Sequence, residues 1–161
     1  METGKGRVLV VDDSEDDQLF LRNALEAEFQ VLTAFSAAQA LEFLSRDRVD
    51  VLLTDQRMPR MSGDALIARV KSLPATADIR CILLSGKTSN QALVEILKGG
   101  HVYHYFEKDK TLLTDDGRAE LILAVRSAVA ASRLEAERAG LTRRLRSQVD
   151  ALSGQYRLLR S

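Results

Sequence analysis

The chain has 161 residues, a length that suits one globular domain with one hydrophobic core. Hydrophobic residues make up 45% and charged residues 29% of the composition, which excludes disordered and fibrous chains. The 23 basic and 23 acidic side chains cancel, so no overall charge attracts nucleic acid or an anionic membrane.

The sequence contains no pattern typical of a membrane span or a secretory signal. No run approaches the roughly 18 apolar residues of a transmembrane helix, and the first seven residues lack an apolar stretch. The single cysteine, Cys81, lies in an apolar run, where a thiol packs as a hydrophobe, and one cysteine forms no disulfide within the chain. We therefore expect a cytoplasmic protein.

Five short runs of apolar and β-branched residues predict strands. In chain order they occupy 7–11, 31–35, 49–54, 79–84 and 102–107. Four segments between them carry apolar residues at three- and four-residue spacing, which predicts helices at 15–28, 36–46, 62–72 and 89–98. Strands that are apolar along most of their length suit a parallel sheet covered on both faces, and strand-helix alternation requires right-handed crossovers. The sequence therefore predicts a doubly wound α/β domain.

A long helical pattern follows the last predicted strand. It begins near Asp115 and continues to about Leu159, because its two glycines weaken a helix without forbidding it. We expect the first part of this helix to pack on the sheet, within a domain that spans 5–131. The remainder, 132–161, is predicted to form a helical extension.

The leucines of the extension fit a heptad repeat, the pattern of a coiled coil. One core position holds Leu145, Leu152 and Leu159, and the other holds Leu134 and Leu141. Arg138, Gln148 and Gln155 also fall at core positions, so the alternative is a solvated amphipathic helix. We favour the pairing of two chains as a homodimer through this helix.

The extension is also the basic part of the chain. It carries seven arginines and three acidic residues, a net charge of +4. This charge density is modest and no recognition motif accompanies it, so we expect no nucleic-acid partner.

Polar residues follow the predicted strands at their carboxyl ends, where sites form in open α/β sheets. Asp12 and Asp13 end the first strand, Asp55 follows the third, Ser85 follows the fourth and Lys108 follows the fifth. Each residue alone has an ordinary explanation, such as a helix cap or a loop hydroxyl. Their joint occurrence at successive strand ends favours one shallow site.

Three carboxylates at one site repel each other, and burial would neutralise them unless a cation were present. Mg²⁺ prefers oxygen ligands, whereas two His and one Cys in the chain make a zinc site a poor match. With the metal bound, Asp55 is a candidate nucleophile toward a phosphoryl group, and Lys108 and Ser85 are candidates to hold phosphoryl oxygens. The added charge would draw Ser85 and its loop inward as the signal.

Four stretches resemble the receiver domains of two-component response regulators. They are 8–13 (VLVVDD), 55–63 (DQRMPRMSG), 82–85 (ILLS) and 103–108 (YHYFEK). The resemblance spans about 5–131 and implies the strand order 2-1-3-4-5, Mg²⁺ dependence and phosphotransfer from a histidine kinase or phosphotransfer protein. It implies a signalling receiver rather than an enzyme, since such a domain catalyses only its own phosphotransfer and dephosphorylation.

The resemblance also implies roles for single residues. Asp13 and Asp55 would bind the metal directly together with the backbone carbonyl of Arg57, and Asp12 would act through water. Tyr105 would be the aromatic residue that turns inward on activation. Asp55 would be the phosphoacceptor.

Three features depart from the family pattern. Asp109 follows the lysine where the family usually has Pro, and the stretch 109–117 is a few residues longer than usual, which predicts a reshaped interaction face. Arg57 and Lys87 lie two residues beyond the phosphoacceptor and the switch serine, near the path of attacking water. We expect both to modulate hydrolysis of the acyl phosphate.

The leading hypothesis is a phosphorylation-dependent switch that alters a dimer or an output partner. One alternative is a receiver-like interaction module that acts without phosphorylation. Another is an aspartate-nucleophile phosphatase, against which the chain has no second carboxylate two residues after Asp55. The chain is expected to be a stand-alone regulator or the front part of a longer protein with an output domain.

Overall fold

The structure, a computed structural model, describes residues 4–86 and 89–161. Within these ranges five strands, β1 to β5, occupy Arg7–Val11, Gln30–Ala34, Val51–Asp55, Arg80–Ser85 and Val102–Glu107. In the same ranges six helices, α1 to α6, occupy Glu15–Leu25, Ala37–Arg46, Gly63–Ser72, Asn90–Lys98, Lys108–Leu113 and Asp115–Arg160. The predicted alternation of strands and helices is confirmed, with α5 as an additional helix.

The strands form one parallel sheet in the order β2-β1-β3-β4-β5, as predicted. Strand β1 lies between β2 and β3, so that Val10 pairs with Thr33 on one side and Leu53 on the other. The chain therefore winds in one direction from β1 to β2 and in the other direction from β3 onward. Sites in open sheets form at this reversal point, beside the carboxyl ends of β1 and β3.

Alternate residues of the strands contribute to two separate cores, because successive side chains of a strand point to opposite faces. On one face Val8 and Val10 pack with side chains of α1 and α6, and on the other Leu9 packs with α2 and α3. Cys81 is fully buried in the second core, as predicted for an inert thiol. Burial raises the pKa of this thiol to about 12, so it stays protonated.

The stretch 109–117, predicted to be a few residues longer than usual, is mostly helical. Helix α5 begins at Lys108 directly after β5, and Asp109 carries its charge in the first turn, where the helix dipole favours an acid. Helix α6 follows one residue later, capped by Thr114, whose hydroxyl accepts a hydrogen bond from the amide of Gly117 at 2.9 Å. The extra residues therefore add a short helix rather than a longer loop.

Helix α6 packs on the sheet along its first part only. Its buried residues end at Ser132, and every residue from Leu141 onward is exposed. At the transition the Arg133 guanidinium lies 3.4 Å from the Asp50 carboxylate and donates to the Gly4 carbonyl at 3.1 Å. Asp50 directly precedes β3, so the extension leaves from the amino-terminal edge of the sheet. In the described residues, no helix combines the length and apolar character needed to cross a membrane.

Candidate functional site

The structure brings the predicted carboxylates together at the carboxyl edge of the sheet. Asp12 and Asp13 directly follow β1, and Asp55 is the last residue of β3. One oxygen from each of these three side chains lies within 4.8 Å of the others. Asp12 and Asp55 are buried, with 1% and 7% of their surface exposed, while Asp13 is open to solvent. The predicted cluster therefore forms a shallow site with two buried acids and one exposed acid.

Lys108 reaches into this cluster from the first turn of α5. Its Nζ lies 2.9 Å from Asp12 Oδ2 and 3.4 Å from Asp55 Oδ2. A third carboxylate, that of Asp17, lies closest to this nitrogen, at 2.7 Å. Asp17 was not predicted as a site residue. The sequence signal for this residue is its position, four residues after Asp13 and in the first turn of a helix that begins beside the site.

Asp55 and Lys108 shift each other's pKa. Burial raises the pKa of Asp55 above its ordinary value, the Lys108 ammonium opposes this effect, and the Asp12 carboxylate adds to it. Burial alone would lower the pKa of Lys108, but hydrogen bonds with Asp12 and Asp17 raise it above its ordinary value. Lys108 therefore stays a cation at any physiological pH.

The donor set fits a hard divalent cation. The three carboxylates of the cluster and that of Asp17 lie around one ammonium, so the site has an excess of negative charge. The donors are oxygen atoms, which Mg²⁺ prefers, and the cluster found in the described residues contains no His or Cys that would select zinc. The exposure of Asp13 leaves one side open to water, and Mg²⁺ usually retains several water ligands.

Ser85 ends β4 next to the cluster. Asp55 pairs with Leu84 across the sheet, so Ser85 lies one residue further toward the carboxyl edge, and it is 2% exposed. Tyr105 lies half-buried on β5, beside Leu83 of β4. Helix α4, which follows Ser85 in the chain, buries none of its residues. Lys87 lies outside the described residues.

The loop after Asp55 is fixed by reciprocal hydrogen bonds. The Gln56 side-chain amide donates from Nε2 to Asp64 Oδ1 at 2.8 Å, and the Asp64 backbone amide donates to Gln56 Oε1 at 2.8 Å. The Gly63 amide donates to the Gln56 carbonyl at 3.0 Å. These contacts close a loop in which Arg57 is exposed, and they hold its start beside the carboxylates. The pairing of Gln56 with Asp64 was not predicted, because both are polar residues of ordinary type.

Gly63 is expected to tolerate no larger side chain. A Cβ at this position would clash with the backbone carbonyl of Asp55. Gly63→Ala should therefore lower the free energy of unfolding by about 2 kcal/mol, as overpacked positions do. Urea denaturation measures this change. Gly140→Ala is the control, since a Cβ at Gly140 would meet only the Arg143 side chain, at an ordinary contact distance of 3.9 Å, and alanine favours a helix. A Gly63→Ala variant as stable as this control would contradict the packing described.

The helical extension presents a second candidate surface. Its large apolar side chains are all more than half exposed: Leu134, Leu141, Leu145, Val149, Leu152, Tyr156, Leu158 and Leu159. The five leucines of the predicted heptad are among them. Val149 and Tyr156 lie next to the polar Gln148 and Gln155, and they extend the same apolar stripe.

Known proteins share this sequence pattern and fold. The sequence matches the model of one protein family, described as Response regulator receiver domain, over residues 8–113. Hydrogenase transcriptional regulatory protein HoxA of Cupriavidus necator is 34% identical over 152 residues, which cover 94% of this chain and 30% of that protein. Two-component response regulator ORR1 of Oryza sativa subsp. japonica is 34% identical over 113 residues, which cover 62% of this chain and 49% of that protein.

A solved structure shows the same architecture. The signal receiver domain of an HD domain-containing protein from Pseudomonas fluorescens superimposes with a TM-score of 0.70 at 27% identity, covering 81% of this chain and 98% of that one. The chain spans 30% of HoxA and 10% of sensor histidine kinase TmoS from Ectopseudomonas mendocina, which is 36% identical over 96 residues. It is therefore similar to one part of much longer signalling proteins.

Proposed function

Because the chain belongs to the response regulator receiver family, we propose that it is a phosphoacceptor switch in which Asp55 takes a phosphoryl group. The donor would be a histidine kinase or a phosphotransfer protein. The observation that carries this proposal is the Asp55 carboxylate, buried beside two other acids and 3.4 Å from the Lys108 ammonium. A receiver domain is a signalling element of two-component systems and not an enzyme that acts on separate substrates.

The proposed reaction is an in-line displacement. A carboxylate oxygen of Asp55 attacks the phosphorus atom, the bond between phosphorus and the donor breaks, and the donor leaves with its electron pair. The Lys108 ammonium donates to one phosphoryl oxygen, and the Ser85 hydroxyl donates to another. Asp12, Asp13 and Asp55, with the Arg57 carbonyl, would hold Mg²⁺, which when bound neutralises charge on the phosphoryl oxygens. The product is an acyl phosphate on Asp55.

Arg57 is proposed to modulate the lifetime of this acyl phosphate together with Lys87. Its side chain is exposed at the mouth of the site, beside Ser85 and Met58, where water would approach the phosphorus. Arg57→Ala is expected to change the rate of phosphoryl loss by several fold, measured as the decay of the phosphorylated mass after the donor is removed. An unchanged rate would show that the guanidinium does not guide the attacking water.

The switch is proposed to act through the loop after Ser85 and through Tyr105. Phosphorylation adds about one to two negative charges and strong acceptors near the Ser85 hydroxyl. The buried position of Ser85 and the absence of buried residues in α4 support this step, because α4 has few packing contacts to lose. Tyr105 would then occupy the space toward Ser85.

The extension is proposed to pair two chains as a coiled coil. Its apolar stripe is exposed in the single chain, and monomeric proteins rarely leave contiguous apolar surface of this length uncovered. Lys108 is the first residue of α5, and one residue in an extended conformation, Thr114, separates α5 from α6. This short connection supports a route by which changes at the site reach the pairing helix or an output domain.

Incubation with acetyl phosphate tests the proposed function. With Mg²⁺ the intact protein should gain the mass of one phosphoryl group, and chelation of the metal should prevent the gain. A protein that gains no mass under either condition would instead be an interaction module that works without phosphorylation. Sustained release of phosphate from unrelated phosphate esters would indicate a phosphatase.

A further inference from the structure

Lys108 contacts two acids of the metal-binding cluster and one acid outside it. Its ammonium touches three carboxylates, and two of these, Asp12 and Asp55, belong to the cluster suited to a divalent cation. The third, Asp17, lies outside that cluster and makes the shortest contact, at 2.7 Å. Lys108 therefore has one acidic partner, Asp17, that is not among the carboxylates suited to bind the metal.

This partner matters because two cations draw on the same acids. A divalent ion bound by Asp12 and Asp55 repels a nearby ammonium and takes over the charge that holds it in place. The Lys108 side chain is only 14% exposed, so little water can reach the ammonium to replace a lost carboxylate. With no other acid available, Lys108 would have to compete with the metal for Asp12 and Asp55.

Local structure fixes Asp17 where it can prevent this competition. The Ser14 hydroxyl accepts a hydrogen bond from the Asp17 amide at 3.3 Å, which starts α1 directly beside the site. The next residue, Gln18, is buried and donates to the carbonyl oxygen of Asp12 at 2.8 Å. These two contacts hold the first turn of α1 against the end of β1. The Asp17 side chain is itself 31% exposed, so it can adjust to movement of the ammonium.

We infer that Asp17 is a positioning residue that holds Lys108 by a carboxylate outside the metal cluster, so that Mg²⁺ and the ammonium do not compete for Asp12 and Asp55. This inference rests on the proposed function. An ammonium has three N–H donors. One stays on Asp17, and the other two are released from the metal-binding acids to reach phosphoryl oxygens.

An ordinary reading of Asp17 is a helix-terminal acid. Glu15, Asp16 and Asp17 all lie in the first turn of α1, where the helix dipole favours negative charge. That reading predicts the same consequence for removing either Asp16 or Asp17. Asp16 is exposed and one residue away, so Asp16→Asn is a matched control for charge and helix position.

Isothermal titration of Mg²⁺ into the full chain tests the inference. Asp17→Asn should weaken Mg²⁺ binding about tenfold, as the loss of supporting partners does at other metal sites. Asp16→Asn should weaken it by less than about twofold, because an exposed charge is screened. Circular dichroism confirms that each variant is folded, and Asp17→Ser provides a second replacement should the amide disturb the helix.

A double-mutant cycle separates a direct charge effect from one that acts through Lys108. In the Lys108→Ala background, the loss caused by Asp17→Asn should be at least about threefold smaller than in the wild-type background. An equal loss in both backgrounds would overturn the inference while leaving the proposed function intact. Wild-type protein that binds no Mg²⁺ would contradict the proposed function, and this inference with it.

Discussion

Asp55→Asn is expected to abolish phosphorylation by acetyl phosphate in the presence of Mg²⁺. The amide lacks the negatively charged oxygen that attacks phosphorus. Of the described carboxylates that contact Lys108, only Asp55 is the last residue of a strand. Intact-protein mass spectrometry measures the result. Asp16→Asn, which removes an exposed acid, should be phosphorylated as wild type is. A mass gain retained by Asp55→Asn would contradict the assignment.

The same substitution should leave the protein folded and more stable without metal. Burial raises the pKa of Asp55, so the folded state holds its proton to higher pH than the unfolded chain does. Stability from this group is therefore lost as pH rises from the unfolded pKa through the folded pKa, and at neutral pH the ionised group is a cost. Asn removes that cost, so the variant should unfold at a higher temperature than the wild type. Thermal unfolding at neutral pH with a chelator checks the direction, and a less stable variant would contradict it.

Charges placed on the apolar stripe of the extension should dissociate the proposed dimer. Leu145→Glu combined with Leu152→Glu removes two leucines per chain, exposed in the single chain, that a coiled coil would bury, and it brings like charges together at the seam. The dissociation constant should rise by at least about a hundredfold. Analytical ultracentrifugation over a range of concentrations measures this rise.

A control with the same added charge lies on the opposite side of the helix. Ser147→Glu combined with Gly154→Glu falls outside both core positions of the heptad, because these residues are seven positions apart on the face opposite the leucines, and both are exposed. This variant should dimerise as wild type does. Equal dissociation of the two variants, or a wild-type chain that is monomeric at all concentrations, would show that the stripe does not pair two copies.

The fold was predictable because its signals are local. Continuous apolar strands such as 8–11 can exist only in a sheet covered on both faces, and serine caps mark where helices begin. Strand limits were less accurate. Val49 is fully buried although β3 begins only at Val51, because a buried connection has the same apolar composition as a strand.

The site was predictable in part for the same reason. Strand ends can be read from the sequence, and parallel strands bring their carboxyl ends to one edge. The contact of Asp17 with Lys108 joins α1 to α5 across most of the chain, and no periodicity encodes such a pair. Helix α5 was missed because its six residues are too few to show an amphipathic repeat.

Mapping the modified residue tests the central claim most directly. Phosphorylated protein can be reduced with borohydride, which converts an aspartyl phosphate to homoserine, and then digested for peptide mass spectrometry. We expect homoserine in place of Asp55 and unmodified Asp12, Asp13 and Asp17. Modification of any other aspartate, or phosphate held on a serine or lysine, would contradict it.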